Sequence, residues 1–190
     1  MESWVERFVT ATQPDKVKES MCFASPSERL KFFTRLSGEI GKRGVVDVLR
    51  KGYKFNGNTF DLYYPIPSQL NPSAKAAYKQ NIFGVIRQVR YSTQNTNEID
   101  FVVFINGLPL ATFELKNNYT GQTYENAIKQ YQTERDSKDL LLQKKRCAVH
   151  FAVDDQQVWM CTALAGKDSW FLPFNRGVNG GAGNPIVEKD

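Results

Sequence analysis

Residues Asn97 to Asn117 read NEIDFVVFINGLPLATFELKN, two apolar runs on either side of Asn106-Gly107. Asn-Gly between alternating hydrophobic stretches is the strongest short-range hairpin signal, so Ile99 to Ile105 and Leu108 to Leu115 are expected to pair as antiparallel strands. Along a strand successive side chains point to opposite faces. Asp100, Val102 and Phe104 therefore share one face of the first strand, and Leu110, Thr112, Glu114 and Lys116 share a face of the second. A regular two-residue loop would set Asp100 opposite Phe113 and send Glu114 to the other face. An odd-length loop or a single bulge restores the match, and bulges recur beside functional sites. The sequence predicts one or the other.

With that register, two carboxylates and an ammonium project from one side of very hydrophobic strands. A carboxylate near a core is costly unless it is paired, hydrogen-bonded or bound to a cation. Mg²⁺ takes oxygen ligands and keeps several waters, so Asp100, Glu114 and a backbone carbonyl, that of Leu115, make an adequate ligand set. Lys116 could orient or deprotonate an attacking water, or offset charge building on a phosphorane. The bland alternative is that Asp100 and Glu114 end strands at the surface with Lys116 as a solvated partner.

The whole stretch resembles the corresponding part of the endonuclease subunit of type I restriction enzymes. The resemblance runs in order through Gly52 to Pro65 (GYKFNGNTFDLYYP), Asn81 to Arg90 (NIFGVIRQVR), Ala127 to Asp136 (AIKQYQTERD), Arg146 to Asp154 (RCAVHFAVD) and Phe171 to Gly177 (FLPFNRG), about Glu28 to Pro185 in all. It implies a PD-(D/E)XK nuclease site with Asp100, Glu114 and Lys116 as catalytic residues; Ile99 stands where the motif's Pro would be. It further implies a Gln-x-x-x-Tyr element on the following helix. Gln130 fits its glutamine, Glu134 occupies the tyrosine position, and Tyr131 is adjacent on another part of the helix.

The same resemblance implies Mg²⁺ as cofactor with Mn²⁺ able to substitute, double-stranded DNA as substrate, and methylation and specificity subunits as partners. ATP belongs to a helicase-like motor, so no ATP site is expected in this chain, which reads as a fragment or a short form. The fold expected is α/β, a mixed central β-sheet flanked by helices: an N-terminal helical segment over residues 1–50, a nuclease core over 51–175 and a Gly-rich tail over 176–190. Two other readings stay open, a non-catalytic nucleic-acid-binding or subunit-docking module, and a stand-alone nuclease of another defence system.

Composition agrees with one core of moderate size: 190 residues, 41% hydrophobic. Cys22, Cys147 and Cys161 form no CxxC pair and are odd in number, which predicts reduced buried thiols and a cytoplasmic protein. No apolar run reaches membrane-spanning length. A net charge of +5 and a pI near 9.1 favour a polyanionic partner. Lys42-Arg43, Arg50-Lys51, Arg87, Arg90 and Lys144-Lys145-Arg146 are the candidate phosphate contacts, with solvated surface charge as the plain alternative.

Elsewhere the pattern predicts a helix from Pro26, a strand pair around Asn56-Gly57-Asn58, a short helix from Asn71, strands over Ile82 to Tyr91, Cys147 to Val153 and Val158 to Leu164, and a helix from Thr123 to about Arg135. His150, inside VHFAV, reads as a core imidazole. Glu28 and Glu39 are weak candidates for a further carboxylate. Asn179 to Pro185 is glycine-rich but lacks the GK[ST] ending of a P-loop.

Overall fold

The computed structural model describes residues 2–68 and 71–174; the expected Gly-rich tail lies outside them. The chain forms two compact units, Met1–Gly84 with Val103–Leu110, and Val85–Val102 with Ala111–Asp190.

The first unit begins with helices α1 (Glu2–Thr12), α2 (Pro14–Ser20), α3 (Pro26–Arg43) and α4 (Val45–Lys51). Ser25 caps α3, accepting from the Glu28 amide at 3.2 Å, and Pro26 occupies its first turn, both good helix starts. The apolar stripe Phe32, Phe33, Leu36 and Ile40 is buried. It meets a short hairpin of β1 (Tyr53–Phe55) and β2 (Asn58–Phe60), whose Tyr53, Phe55 and Phe60 ring Phe32 at 5.1 to 5.4 Å between centroids. Asn56 and Gly57 turn this hairpin with φ of 44° and 81°, the type I′ geometry that suits strand twist. Helix α5 (Pro72–Tyr78) follows, capped by Asn71. Glu28 and Glu39, on α3, are engaged by Lys31 and by Lys42 and Arg43.

A six-stranded sheet runs in the order β3 (Phe83–Arg90), β4 (Glu98–Ile105), β5 (Leu108–Leu115), β6 (Val149–Val153), β7 (Val158–Cys161), β8 (Leu172–Pro173). It is mixed: β5 and β6 are parallel, Ala111 opposite Val149 through Leu115 opposite Val153, whereas β6–β7 and β7–β8 are antiparallel. A parallel pair needs a crossover, and it contains α6 (Tyr124–Thr133), which packs on β6. Thr123 starts α6 with a capping box completed by Asn126. The chain is thus α/β with a mixed sheet and flanking helices, as expected. The strand over Cys147 to Val153 is shorter than predicted, and β8 was not predicted.

Candidate active site

The hairpin loop is not odd-length. Asn106 and Gly107 have φ of 50° and 84°, the two-residue type I′ turn. The offset lies in the strands instead. Phe101 stacks on Phe113 with centroids 4.2 Å apart and planes at 17°, which a continuous two-residue-loop register forbids because it puts the two rings on opposite faces. One residue of slippage therefore sits between the turn and this pair. The row continues to Phe151, 4.8 Å from Phe113. With Phe101, Phe113 and Phe151 on one face, Asp100 and Glu114 fall to the other, the face covered by α6.

Glu114 is fully buried. Its Oε1 accepts from Arg135 Nε at 2.7 Å, while Oε2 has no hydrogen-bond partner among the described residues. Burial pushes its carboxyl up to about 7; Arg135 opposes that, the Asp100 charge adds to it and Lys116 lowers it. The charges of Asp100 and Lys116 thus both reach Glu114 at the open end of the hairpin. Asp100, half-buried, accepts the Leu115 amide on Oδ2 at 2.6 Å. Each carboxylate thus commits one oxygen to the protein and keeps one free of protein donors among the described residues. Lys116 is half-buried, and its backbone amide bonds Val153 O at 2.8 Å. Its ammonium makes no hydrogen bond or ion pair among the described residues.

Of the three, Lys116 lines a cleft of about 530 Å³, together with Leu115, Asn117, Tyr119, Gln122 and Asp154 among others; Asp100 and Glu114 are not in its lining. Tyr119 is 95% exposed at its side. Among the described residues no three His, Cys, Asp or Glu side chains cluster as a metal site, so a cation here would rely on Asp100, Glu114 and backbone oxygen. The unpartnered Oε2 of Glu114 fits such a role, since a buried carboxylate oxygen without a donor is costly to leave bare.

Gln130 lies half-buried on α6, its side-chain oxygen shielded from water without a donor; no hydrogen bond joins it to Asp100, Glu114 or Lys116 among the described residues. Its neighbour Tyr131 is buried in the helix–sheet interface, bonded at 2.8 Å to Thr112 Oγ1, which also meets His150 Nδ1 at 2.8 Å. His150 is therefore a bonded core imidazole, and burial lowers it to about 4. The side chain that sequence reasoning passed over is Arg135, just past α6. Its Nη2 donates to Glu98 O at 2.8 Å and its guanidinium lies 5.8 Å from the Tyr91 ring centroid. Its only signal was a cation following the polar helix, one residue after the position where Glu134 replaces tyrosine. Of the basic residues proposed for phosphate, Arg43 and Lys51 pair with Asp47, and Arg90 pairs with Glu98.

The mixed six-stranded sheet flanked by helices is consistent with a nuclease-like α/β fold. The chain belongs to the family described as type I restriction enzyme R protein N terminus (HSDR_N), whose model matches residues 45–169. No curated protein and no solved structure matches the chain.

Proposed function

We propose that this chain is a Mg²⁺-dependent endonuclease domain that hydrolyses DNA phosphodiester bonds as part of a type I restriction–modification enzyme. What carries the reading is the trio at the end of the hairpin: Asp100 and Glu114, each with one oxygen held by the chain and the other without a donor among the described residues, and Lys116, whose charge reaches Glu114. Family membership supports the restriction-enzyme setting.

Asp100, Glu114 and the Leu115 carbonyl would hold Mg²⁺, or Mn²⁺ in its place. When bound, such an ion lowers the pKa of water and neutralises charge on a phosphoryl oxygen. The Asp100–Leu115 bond holds the first carboxylate against the strand that carries the second, so their spacing is set by backbone. Lys116 orients the attacking water through its ammonium and offsets charge on the phosphate oxygens. Gln130, on the helix covering the same face, is assigned to positioning the site. DNA phosphates would enter by the open cleft, which Lys116 lines; sequence choice and methylation would fall to partner subunits in the cytoplasm.

A second reading, a non-catalytic binding or docking module, is favoured by one observation, the commitment of Glu114 Oε1 to Arg135. Nicking of supercoiled plasmid by the wild-type chain, Asp100→Ala and Lys116→Ala, with Mg²⁺, Mn²⁺ or EDTA, tests the choice. Metal-dependent nicking lost in both variants supports the nuclease. Metal-independent DNA binding that survives Lys116→Ala, without nicking, supports the module.

A further inference from the structure

We propose that Arg135 is the positioning residue of this site: by holding Glu114 Oε1 it fixes Oε2 as the oxygen presented to a divalent cation. The inference rests on the metal-nuclease reading and deepens it.

The guanidinium is anchored along two directions at once. Nε reaches Glu114 Oε1 at 2.7 Å and Nη2 reaches the Glu98 carbonyl at 2.8 Å, two residues before Asp100 on β4. Asn97 Nδ2 bonds the Glu134 carbonyl at 3.2 Å, so the segment leaving α6 is docked to the head of β4 through consecutive residues. Tyr91 lies over the guanidinium. Both charged side chains are nearly inaccessible, 5% for Arg135 and 0% for Glu114.

A carboxylate with no fixed donor exchanges its two oxygens by rotating about its last torsion, a broad and soft one. A planar guanidinium bonded to a second, backbone acceptor removes that freedom, because its N–H groups point in fixed directions. Lysine, a point charge with one reaching atom, cannot hold Glu114 and Glu98 in the same way. Arg135 also supplies the countercharge without which a buried carboxylate is strongly disfavoured. Arg135→Lys keeps this charge and loses the fixed fork of N–H groups, so charge alone predicts unchanged metal binding in that variant whereas the positioning role predicts weaker binding. The lysine variant therefore separates the two effects.

The test is Mn²⁺ binding to the full 190-residue chain, by calorimetry and by the electron paramagnetic resonance of free Mn²⁺. The wild type is compared with Arg135→Lys, Arg135→Met, Glu114→Gln and the double variant Arg135→Met/Glu114→Gln, with folding checked by circular dichroism. Loss of a side chain that orients a metal ligand costs on the order of 10-fold or more in affinity, so Arg135→Lys and Arg135→Met should weaken Mn²⁺ by about that factor. The double variant should bind no more weakly than Glu114→Gln alone, because Arg135 acts through Glu114. Unchanged or tighter Mn²⁺ binding by folded Arg135→Lys overturns the proposal, as does a double variant weaker than Glu114→Gln. If Arg135→Met does not fold, Arg135→Lys decides alone. A wild type that binds no Mn²⁺ is a different failure, that of the metal reading itself, and the role of Arg135 falls with it.

Discussion

Asp100 and Leu115 are joined across β4 and β5 by a 2.6 Å bond from the Leu115 amide to Oδ2 of Asp100. A carboxylate that would otherwise swing in solvent is thereby tied to the backbone between Glu114 and Lys116. Asp100→Asn keeps an oxygen able to accept that amide and loses the charge, whereas Asp100→Ala loses both. Plasmid nicking should vanish in the two variants alike, while urea unfolding should find the alanine variant weaker than the asparagine one by about 1 kcal/mol. Nicking by Asp100→Asn at the wild-type rate would rule out the metal role.

The Thr112 hydroxyl serves both Tyr131 and His150 in the buried helix–sheet interface. Thr112→Val is close in shape yet strands two buried polar groups. The expected loss is about 2 to 3 kcal/mol in urea unfolding, since unsatisfied buried groups lose their solvation in full. Tyr131→Phe removes one of the two bonds and should cost less. Equal losses in the two variants would count against the shared hydroxyl.

The pH dependence of stability in EDTA separates two buried groups. Glu114 is raised from 4.5 to about 7 by burial, so between those values the native state holds a proton that the unfolded state has released. Its contribution falls as pH rises from about 4.5 to about 7, by up to ~3 kcal/mol at ~1.4 kcal/mol per unit. His150 is lowered from 6.5 to about 4, again by burial. Here the unfolded state takes up the proton first, and stability falls as pH drops from about 6.5 to about 4. The slopes oppose each other over most of this window. Glu114→Gln removes one of them, and its stability should fall with acid more steeply than that of the wild type. Parallel curves would show that Glu114 does not titrate there.

Gly52 has φ of 73°, and a Cβ at this position would run into the Phe60 carbonyl oxygen. Gly52→Ala therefore meets a steric clash with backbone and an unfavourable dihedral together. A loss of about 1 to 3 kcal/mol is expected, read as a fall in the thermal midpoint of unfolding. Gly57 has φ of 81° but open space around it, so Gly57→Ala should cost less.

Much of this was legible in the sequence because it was written locally. The Asn56-Gly57 and Asn106-Gly107 turns, the Ser25, Asn71 and Thr123 caps and the apolar run of β5 each depend on residues close along the chain. The need for a bulge followed from parity alone, although parity could not say whether loop or strand would supply it. Arg135 was invisible as a site residue because its partner Glu114 is 21 positions away and no pattern marks the pair. β8 is two residues long, too short for any periodicity. The basic pairs looked like phosphate contacts when read as runs of charge, but Arg43 and Lys51 share Asp47 as an acidic neighbour at helical spacing.

The rung between the Lys116 amide and Val153 O lies one residue beyond the last strand position of β5. It works as a hem: the position of Lys116 is stitched into the sheet, and the 3₁₀ turn Asn118–Thr120 and the rest of the loop up to Thr123 hang from it. Loops of other lengths or chemistry could be sewn on after Asn117 and change what the cleft admits, leaving the spacing of Asp100, Glu114 and Lys116 as it is. The spacing of the three side chains and the lining of the cleft are tailored separately.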